Sequence, residues 1–123
     1  MARHNFVPTR YSNVLATLPP VLEIASGDSV VTTTLDAAGF GGDGAQHAPR
    51  GNPMTGPFFV TGAEPGDALL VTIERMTPNR KTGWTYSPLA PGVLDPSVLA
   101  ELPKRERHEW AIDAAAGTVK LLE

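Results

Sequence analysis

The chain has 123 residues, the length of one ordinary domain, with 12 glycines, 12 prolines, no cysteine and a net charge of −3. This composition excludes a long helical bundle, a multidomain enzyme, a disulfide scaffold and a thiolate zinc site, and it argues against general nucleic-acid binding. No apolar run is long enough for a membrane span and no secretory leader is visible, so we expect a cytoplasmic protein without nucleic-acid or membrane partners.

The first half of the chain predicts an arm, two strands and a loop. Residues 1–19 form an extended arm that ends at two consecutive prolines, which disfavour helix and central strand. The strands Val21–Ile24 and Ser29–Asp36 flank the turn Ser26–Asp28, and the pattern predicts an antiparallel hairpin. Residues 37–57 show almost no periodicity, and a loop of this length is usually functional or disordered.

The middle of the chain predicts two further strands around a turn. Phe58–Thr61 is the first strand. Gly62–Asp67 is a turn in which proline precedes glycine, the order of a type II bend. Ala68–Arg75 has the clearest strand pattern of the chain, because apolar positions alternate along it.

The last third predicts a short helix and a hairpin after an irregular stretch over residues 76–94. Asp95 and Pro96 suit the N-cap and the first position of a helix that Pro103 stops. His108–Leu122 contains two short strands around a turn. In sum, the sequence predicts a single all-β domain over residues 1–123, an antiparallel sandwich or jelly-roll-like barrel with one short helix.

Polar side chains concentrate in and beside the long loop. Asp36 lies where a strand ends, and Asp43 and His47 follow within a dozen residues. Carboxylate and imidazole are ligands of divalent ions, so the spacing indicates part of a metal shell, with Asp36 and His47 as ligands and zinc as the expected ion. The alternative is that the aspartates stabilise turns and that His47 is solvated.

The loop ends in the string Asn52–Pro57, which reads N-P-M-T-G-P and is stiffened by two prolines. As a structural element the string is a tight bend. As a functional element it is a pocket wall that offers the amide of Asn52 and the hydroxyl of Thr55 to a substrate.

Several of these strings together resemble the acetamidase/formamidase family. The most specific are Asn52–Pro57 and Gly62–Asp67, the latter reading G-A-E-P-G-D and preceding an alternating strand. Pro20–Ile24 and the strand that ends in Asp36-Ala37 are similar to the family's first motif. The resemblance runs in order over residues 19–122, and shorter similar strings are Pro78–Arg80, Ala90-Pro91 and Leu94–Pro96.

The resemblance implies a largely β, oligomeric, cytoplasmic amidase that hydrolyses short linear amides such as formamide and acetamide to ammonia and a carboxylate. Asp36 matches the aspartate of the family's first motif and is expected to be the catalytic or metal-site residue. Asn52 and Thr55 match the N-P-x-T-G-P string and are expected to bind substrate. The glycines and proline of Gly62–Asp67 are expected to form a turn.

The chain departs from the family in length. Family members are considerably longer, and their second half carries a D-x-H-x-x-Q-G-D-G-E-like motif that does not occur here. Amide hydrolysis needs an activated water, a polarised carbonyl and a proton donor, and Asp36 alone cannot supply all three. We therefore expect an N-terminal portion or small subunit that works with a second chain. The alternative is a non-catalytic assembly or ligand-binding domain.

Overall fold

The computed structural model describes residues 1–87 and 91–122. Residues 88–90, which include part of the irregular stretch and of the Ala90-Pro91 string, and residue 123 lie outside the described residues. Contacts divide the chain into two compact units, Met1–Glu74 and Arg75–Glu123.

The first unit contains four short strands in two parallel pairs. The strands are β1 (Arg3–Asn5), β2 (Leu22–Ala25), β3 (Ser29–Val31) and β4 (Phe58–Thr61). β1 pairs with β3, and β2 pairs with β4. The predicted strands before and after the first turn are therefore present, although the second one ends at Val31 rather than continuing to residue 36.

The predicted antiparallel hairpin between β2 and β3 is wrong, because each strand pairs with a different neighbour. The turn itself forms, since the Asp28 N–H donates to the Ala25 carbonyl at 3.0 Å. The Asp28 carboxylate then accepts the Ala2 N–H at 2.6 Å and the His4 Nε2–H at 3.0 Å. These bonds hold the N-terminal strand beside β3, so a chain segment more than 20 residues away takes the position that β2 would have in a hairpin.

Hydrogen bonds strongly perturb the carboxyl group of Asp28. The N–H of Ala2, the His4 side chain and the N–H of Ala25 together lower the pKa of Asp28 far below its ordinary value. The arm over residues 1–19 is attached along its length by further bonds. Arg10 donates to the Pro19 and Pro20 carbonyls at 3.1 Å.

The turn after β4 is confirmed, but the strand expected to follow it is absent. The Asp67 N–H donates to the Glu64 carbonyl at 3.0 Å, and the Glu64 N–H donates back to the Asp67 carboxylate at 2.9 Å. The segment Ala68–Met76 then runs outside any strand, and its side chains are exposed. Within the described residues, no other strand is placed beside it.

The second unit contains one antiparallel sheet of three strands in the order β5-β6-β7. The strands are β5 (Thr82–Ser87), β6 (Glu106–Asp113) and β7 (Thr118–Leu122). The hairpin of β6 and β7 confirms the prediction for the C-terminal third. Its turn is closed by the Asp113 carboxylate, which accepts the N–H groups of Ala115 and Ala116. The strand β5 was not predicted, since it lies inside the stretch described as irregular.

The predicted short helix is present as a 3-10 helix, Pro96–Glu101, and a second one spans Pro91–Val93. Asp95 is the N-cap of the helix Pro96–Glu101, and its carboxylate accepts hydrogen bonds from the Ser97 hydroxyl at 2.6 Å and the Ser97 N–H at 2.8 Å. The same two bonds, from the hydroxyl first and then the N–H, lower the pKa of Asp95. The helix is short because a 3-10 geometry is rarely sustained beyond a few residues.

The all-β class is confirmed, and none of the sheets closes into a barrel. The antiparallel arrangement holds for the three-stranded sheet, whereas the two-stranded sheets are parallel. Across the described part of the chain no large apolar side chain is fully buried, and Trp84 and Trp110 are half-buried. The described residues include no helix with the length and apolar character needed to cross a bilayer.

Candidate functional site

Asp36 closes the base of the long loop. Its backbone N–H donates to the Phe40 carbonyl at 3.0 Å, and its own carbonyl accepts the Gly39 N–H at 2.9 Å. Its Oδ1 atom accepts the N–H groups of Ala38 at 2.9 Å and Phe40 at 3.0 Å. Aspartate commonly bonds backbone amides two residues ahead, and this local geometry fixes where the carboxylate points.

The loop that follows is ordered by hydrogen bonds rather than by a regular strand. An isolated bridge joins Phe40 to Gln46, and the Gly41 N–H donates to the Ala45 carbonyl at 3.0 Å. The His47 N–H then donates to the Gly39 carbonyl at 2.9 Å. Residues 36–47 therefore form a small closed hairpin-like loop.

The returning half of the loop is tied to its beginning. The Gly51 and Asn52 N–H groups both donate to the Ala37 carbonyl, at 3.1 and 3.2 Å. The Asn13 side chain of the N-terminal arm contributes bonds from outside the loop, to the Pro49 and Arg50 carbonyls. The arm and the loop consequently form one hydrogen-bonded structure.

Three residues of the described chain are fully buried, and all of them lie in this loop: Gly39, Gly41 and Pro53. Gly39 has a φ of +88°, and a Cβ atom there would overlap the carbonyl oxygen of Ala48. A glycine is required at this position for both reasons. The segment predicted to be irregular thus contains all the buried residues of the described chain.

His47 and Asp43 form a pair at the tip of the loop. His47 Nε2 and Asp43 Oδ2 are 2.8 Å apart, and both side chains are exposed. The Asp43 carboxylate also accepts the Ala45 N–H at 3.0 Å. Two hydrogen bonds lower the pKa of Asp43. The bond from the Ala45 N–H has the larger effect, and the bond to the His47 side chain has the smaller one.

Asn52 and Thr55 lie in the string that ends the loop, where the Gly56–Pro57 peptide bond is cis. Asn52 has a φ of 59°, a left-handed conformation that asparagine tolerates better than most residues, and it is exposed. The Thr55 hydroxyl donates to the Thr33 carbonyl at 3.0 Å. This bond connects the string to the chain three residues before Asp36.

A groove of about 470 Å³ lies between the N-terminal arm and this string. Thr55 is on its wall, whereas Asp36, His47 and Asn52 do not line it. Most of its other lining residues are apolar, and Ser12 and Thr17 are the polar ones. The residues around the groove are Ser12, Val14, Leu15, Ala16, Thr17, Leu18, Met54, Thr55, Gly56 and Pro57.

The residues predicted as metal ligands have different neighbours in this structure. Asp36 accepts backbone N–H groups of its own loop, while His47 is bonded to Asp43. Within residues 1–87 and 91–122, no three histidine, aspartate or glutamate side chains come together as a cation site.

The predicted roles of Asp36, Asn52 and Thr55 stay predictions. All three belong to one ordered loop and its closing string, and the backbone bonds of Ala37 and Thr33 connect them. Thr55 alone borders the groove. Asp43, which lies beside Asp36 and His47 in the predicted part of a metal shell, is the hydrogen-bond partner of His47.

The sequence reading missed one serine–histidine pair, which lies in the second unit. Ser87 Oγ and His108 Nε2 are 2.8 Å apart and half-buried. Since Thr85 faces His108 across the β5–β6 pair, Ser87 is its diagonal neighbour on the same face of the sheet. The alternation of Trp84 and Tyr86 was the signal that would have revealed β5 and hence this contact.

A comparison with protein-family models and with curated proteins returns no match.

Proposed function

We propose that this chain is the N-terminal portion or small subunit of a cytoplasmic amidase that hydrolyses short linear amides, such as formamide and acetamide. The remaining catalytic groups come from a second polypeptide, in an oligomeric enzyme. The proposal is supported by the resemblance of the two strings Asn52–Pro57 and Gly62–Asp67. In the structure both strings belong to the first unit, one as the closing segment of the ordered loop and the other as a turn.

The observation that carries the proposal is the hydrogen bond from Thr55 to Thr33. It fixes the N-P-M-T-G-P string against the stretch of chain that leads to Asp36. The proposed catalytic and substrate-binding groups thus share one rigid framework, as catalysis requires of groups that must act together. The groove of about 470 Å³, which Thr55 borders and Asp36 and Asn52 do not line, has space for a small amide.

The proposed reaction adds water to the amide carbonyl carbon and breaks the C–N bond, giving a carboxylic acid and ammonia. Asp36 takes part in proton transfer between the water and the leaving amine. The Thr55 hydroxyl uses its hydrogen on Thr33, so its lone pairs accept the substrate N–H, and Asn52 offers its side-chain amide to the carbonyl oxygen. Activation of the water is assigned to the second polypeptide.

The zinc prediction, with Asp36 and His47 as ligands, stays a prediction. Their present partners would have to be released first, since Asp36 is bonded to backbone N–H groups and His47 to Asp43. We expect such a release of partners to be observable when the second polypeptide is added.

The experiment is a reconstitution. The chain is co-expressed with a polypeptide that carries the D-x-H-x-x-Q-G-D-G-E-like motif, and ammonia release from formamide is measured for each component and for the complex. We expect activity from the complex and little or none from this chain alone. Rapid turnover by the purified chain without a partner would contradict the need for a second polypeptide.

Asp36→Asn in the reconstituted enzyme tests the assigned residue. The asparagine oxygen can still accept the N–H groups of Ala38 and Phe40, so the loop is retained while the charge is removed. We expect turnover to fall by about 10²–10⁴-fold, the usual contribution of proton transfer. Asp43→Asn is the matched control at the loop tip. Equal activity of both variants would show that Asp36 only stabilises the loop.

A second candidate function is a non-catalytic ligand-binding or assembly domain. The hydrogen bonds that the Asp36 carboxylate accepts from two backbone N–H groups favour this function, because they give the carboxylate a structural role. A complex that forms with the second polypeptide but hydrolyses no formamide or acetamide would support this candidate over the amidase.

A further inference from the structure

A serine and a histidine meet on one face of the three-stranded sheet of the second unit. Ser87 Oγ and His108 Nε2 are 2.8 Å apart, and a nucleophile and its base are expected at about 2.6–3.2 Å. Ser87 lies at the end of β5, and His108 lies on the central strand β6. When the hydroxyl donates to Nε2, the imidazole carries its own hydrogen on Nδ1, so Nε2 is the atom that can take the hydroxyl proton.

The sheet fixes the surroundings of the imidazole and leaves the pair within reach of solvent. Thr85 directly faces His108 across the β5–β6 pair, and the Thr85 hydroxyl accepts the Trp110 Nε1–H at 2.9 Å. All of these side chains share the face of Ser87, because residues two apart on a strand point to the same side. Ser87 and His108 are half-buried, whereas Thr85 is exposed, so a small molecule can approach the pair along this face.

An apolar strip on the same face begins beside the pair. Trp110, two residues after His108 on β6, faces Leu121 across the β6–β7 pair, and Ile112 faces Val119. Leu121 and Val119 are 44% and 62% exposed. An aromatic ring that lies against this strip removes apolar surface from water and brings the group attached to it toward the serine hydroxyl.

We propose that Ser87 is a nucleophile activated by His108 and that it takes the acyl group of small aryl esters. The Ser87 oxygen forms a bond to the ester carbonyl carbon while its proton passes to His108 Nε2. The bond between the carbonyl carbon and the aryl oxygen breaks, and its electrons leave with the phenolate, which then takes the proton from His108. Water hydrolyses the acyl-serine with His108 again as the base, giving a carboxylic acid and restoring the Ser87 hydroxyl.

The leaving group sets the substrate class. A phenolate leaves without being protonated first, so a nucleophile and a base suffice for the acylation step. An amide nitrogen must be protonated before its C–N bond breaks, so the pair is assigned to esters and not to formamide or acetamide. The inference goes beyond the proposed amidase and does not depend on it, because it concerns this chain without a second polypeptide.

The experiment is acylation of the full chain by p-nitrophenyl acetate, followed through p-nitrophenolate release and through mass spectrometry of the chain and its peptides. We expect an initial burst of about one phenolate per chain and an acetyl group on the peptide that contains Ser87. Ser87→Ala should lose both signals. His108→Gln, which keeps a hydrogen-bonding side chain but removes the base, should slow acylation by about 10²-fold or more.

Three further variants separate the chemistry from effects on folding. Ser97→Ala is the matched serine control, because the Ser97 hydroxyl donates to the Asp95 carboxylate at 2.6 Å rather than to an imidazole. His4→Gln removes an imidazole from the first unit. Both should be acylated at the rate of the original chain. Ser87→Cys keeps a nucleophile beside His108 and should be acylated on sulfur, which a loss of structure at this position would prevent.

A structural hydrogen bond without nucleophilic activity predicts different results. Acetyl groups on lysine side chains or on the N-terminus, with none on Ser87, would overturn the proposal. So would a His108→Gln chain that is acylated on Ser87 as fast as the original, because the histidine would then not act as a base.

Discussion

In the loop of residues 36–52 and in the segment Ala68–Met76, the sequence pattern and the observed structure disagree in opposite directions. The loop has no periodic pattern, yet it contains all but one of the fully buried residues of the described chain and is crossed by backbone hydrogen bonds. The segment has the clearest strand pattern, yet it lies outside every strand, with Leu70 95% exposed. A loop can supply its own partners through turns, whereas a strand needs a second strand.

The largest effect is expected where the loop depends on one glycine. Gly39→Ala places a methyl group against the Ala48 carbonyl and forces alanine into a φ of +88°. We expect a loss of about 3 kcal/mol in the free energy of unfolding, measured by urea denaturation. Gly44→Ala is the control, since it has a φ of +79° but open space around the added methyl, and it should cost about 1 kcal/mol. Equal losses would mean that packing in the loop contributes little.

Removal of the Asp36 side chain should have the next largest effect. Asp36→Ala leaves the Ala38 and Phe40 N–H groups without their acceptor, and we expect a loss of about 2 kcal/mol in the free energy of unfolding. Asp67→Ala, which removes one such bond in the turn after β4, is the comparison and should lose about half as much. An Asp36→Ala chain as stable as the original would contradict the assigned order of the loop.

Acid should weaken the attachment of the N-terminal strand through Asp28. Hydrogen bonds lower the pKa of this carboxyl in the folded chain, so the unfolded chain binds its proton first as the pH falls. The stabilisation is complete above the ordinary pKa of 3.8 and is lost progressively as the pH falls below it toward the folded value. The urea midpoint should therefore fall less between pH 6 and pH 3 in the Asp28→Asn variant than in the original chain. Glu23→Gln, on the exposed face of β2, is the control and should not change this fall.

The smallest effect is expected in the unpaired segment. Leu70→Lys should change the free energy of unfolding by less than about 0.5 kcal/mol, because the leucine is almost fully exposed. The same change at Leu22, which is half-buried on β2 and faces Phe58, should cost more than about 1 kcal/mol. A large loss at Leu70 in dilute solution would indicate that the segment is packed within the monomer.

Elements fixed by local chemistry could be predicted from the sequence. The Asp95 cap, the turn after β4 and the C-terminal hairpin each depend on residues within a few positions of one another. The pairing of β1 with β3 could not be predicted, because it depends on bonds from Asp28 to residues more than 20 positions away. The strand β5 was missed because its neighbouring prolines and glycine outweighed the aromatic alternation.

The candidate site was predicted as a set of residues but not as a geometry. The sequence indicated Asp36, Asn52 and Thr55, and the structure joins them through backbone groups of Ala37 and Thr33. It could not indicate that His47 pairs with Asp43, because three intervening residues in an irregular loop do not fix which carboxylate an imidazole meets. Side-chain spacing constrains partners in helices and strands, and this loop is neither.

Amide hydrogen exchange on the full chain, followed residue by residue, tests the contrast between the two regions most directly. In dilute solution we expect the N–H groups of Gly39, Gly41 and His47 to be protected and those of Leu69–Met76 to exchange freely. Protection of Leu69–Met76 in dilute solution, together with free exchange in the loop, would contradict the account.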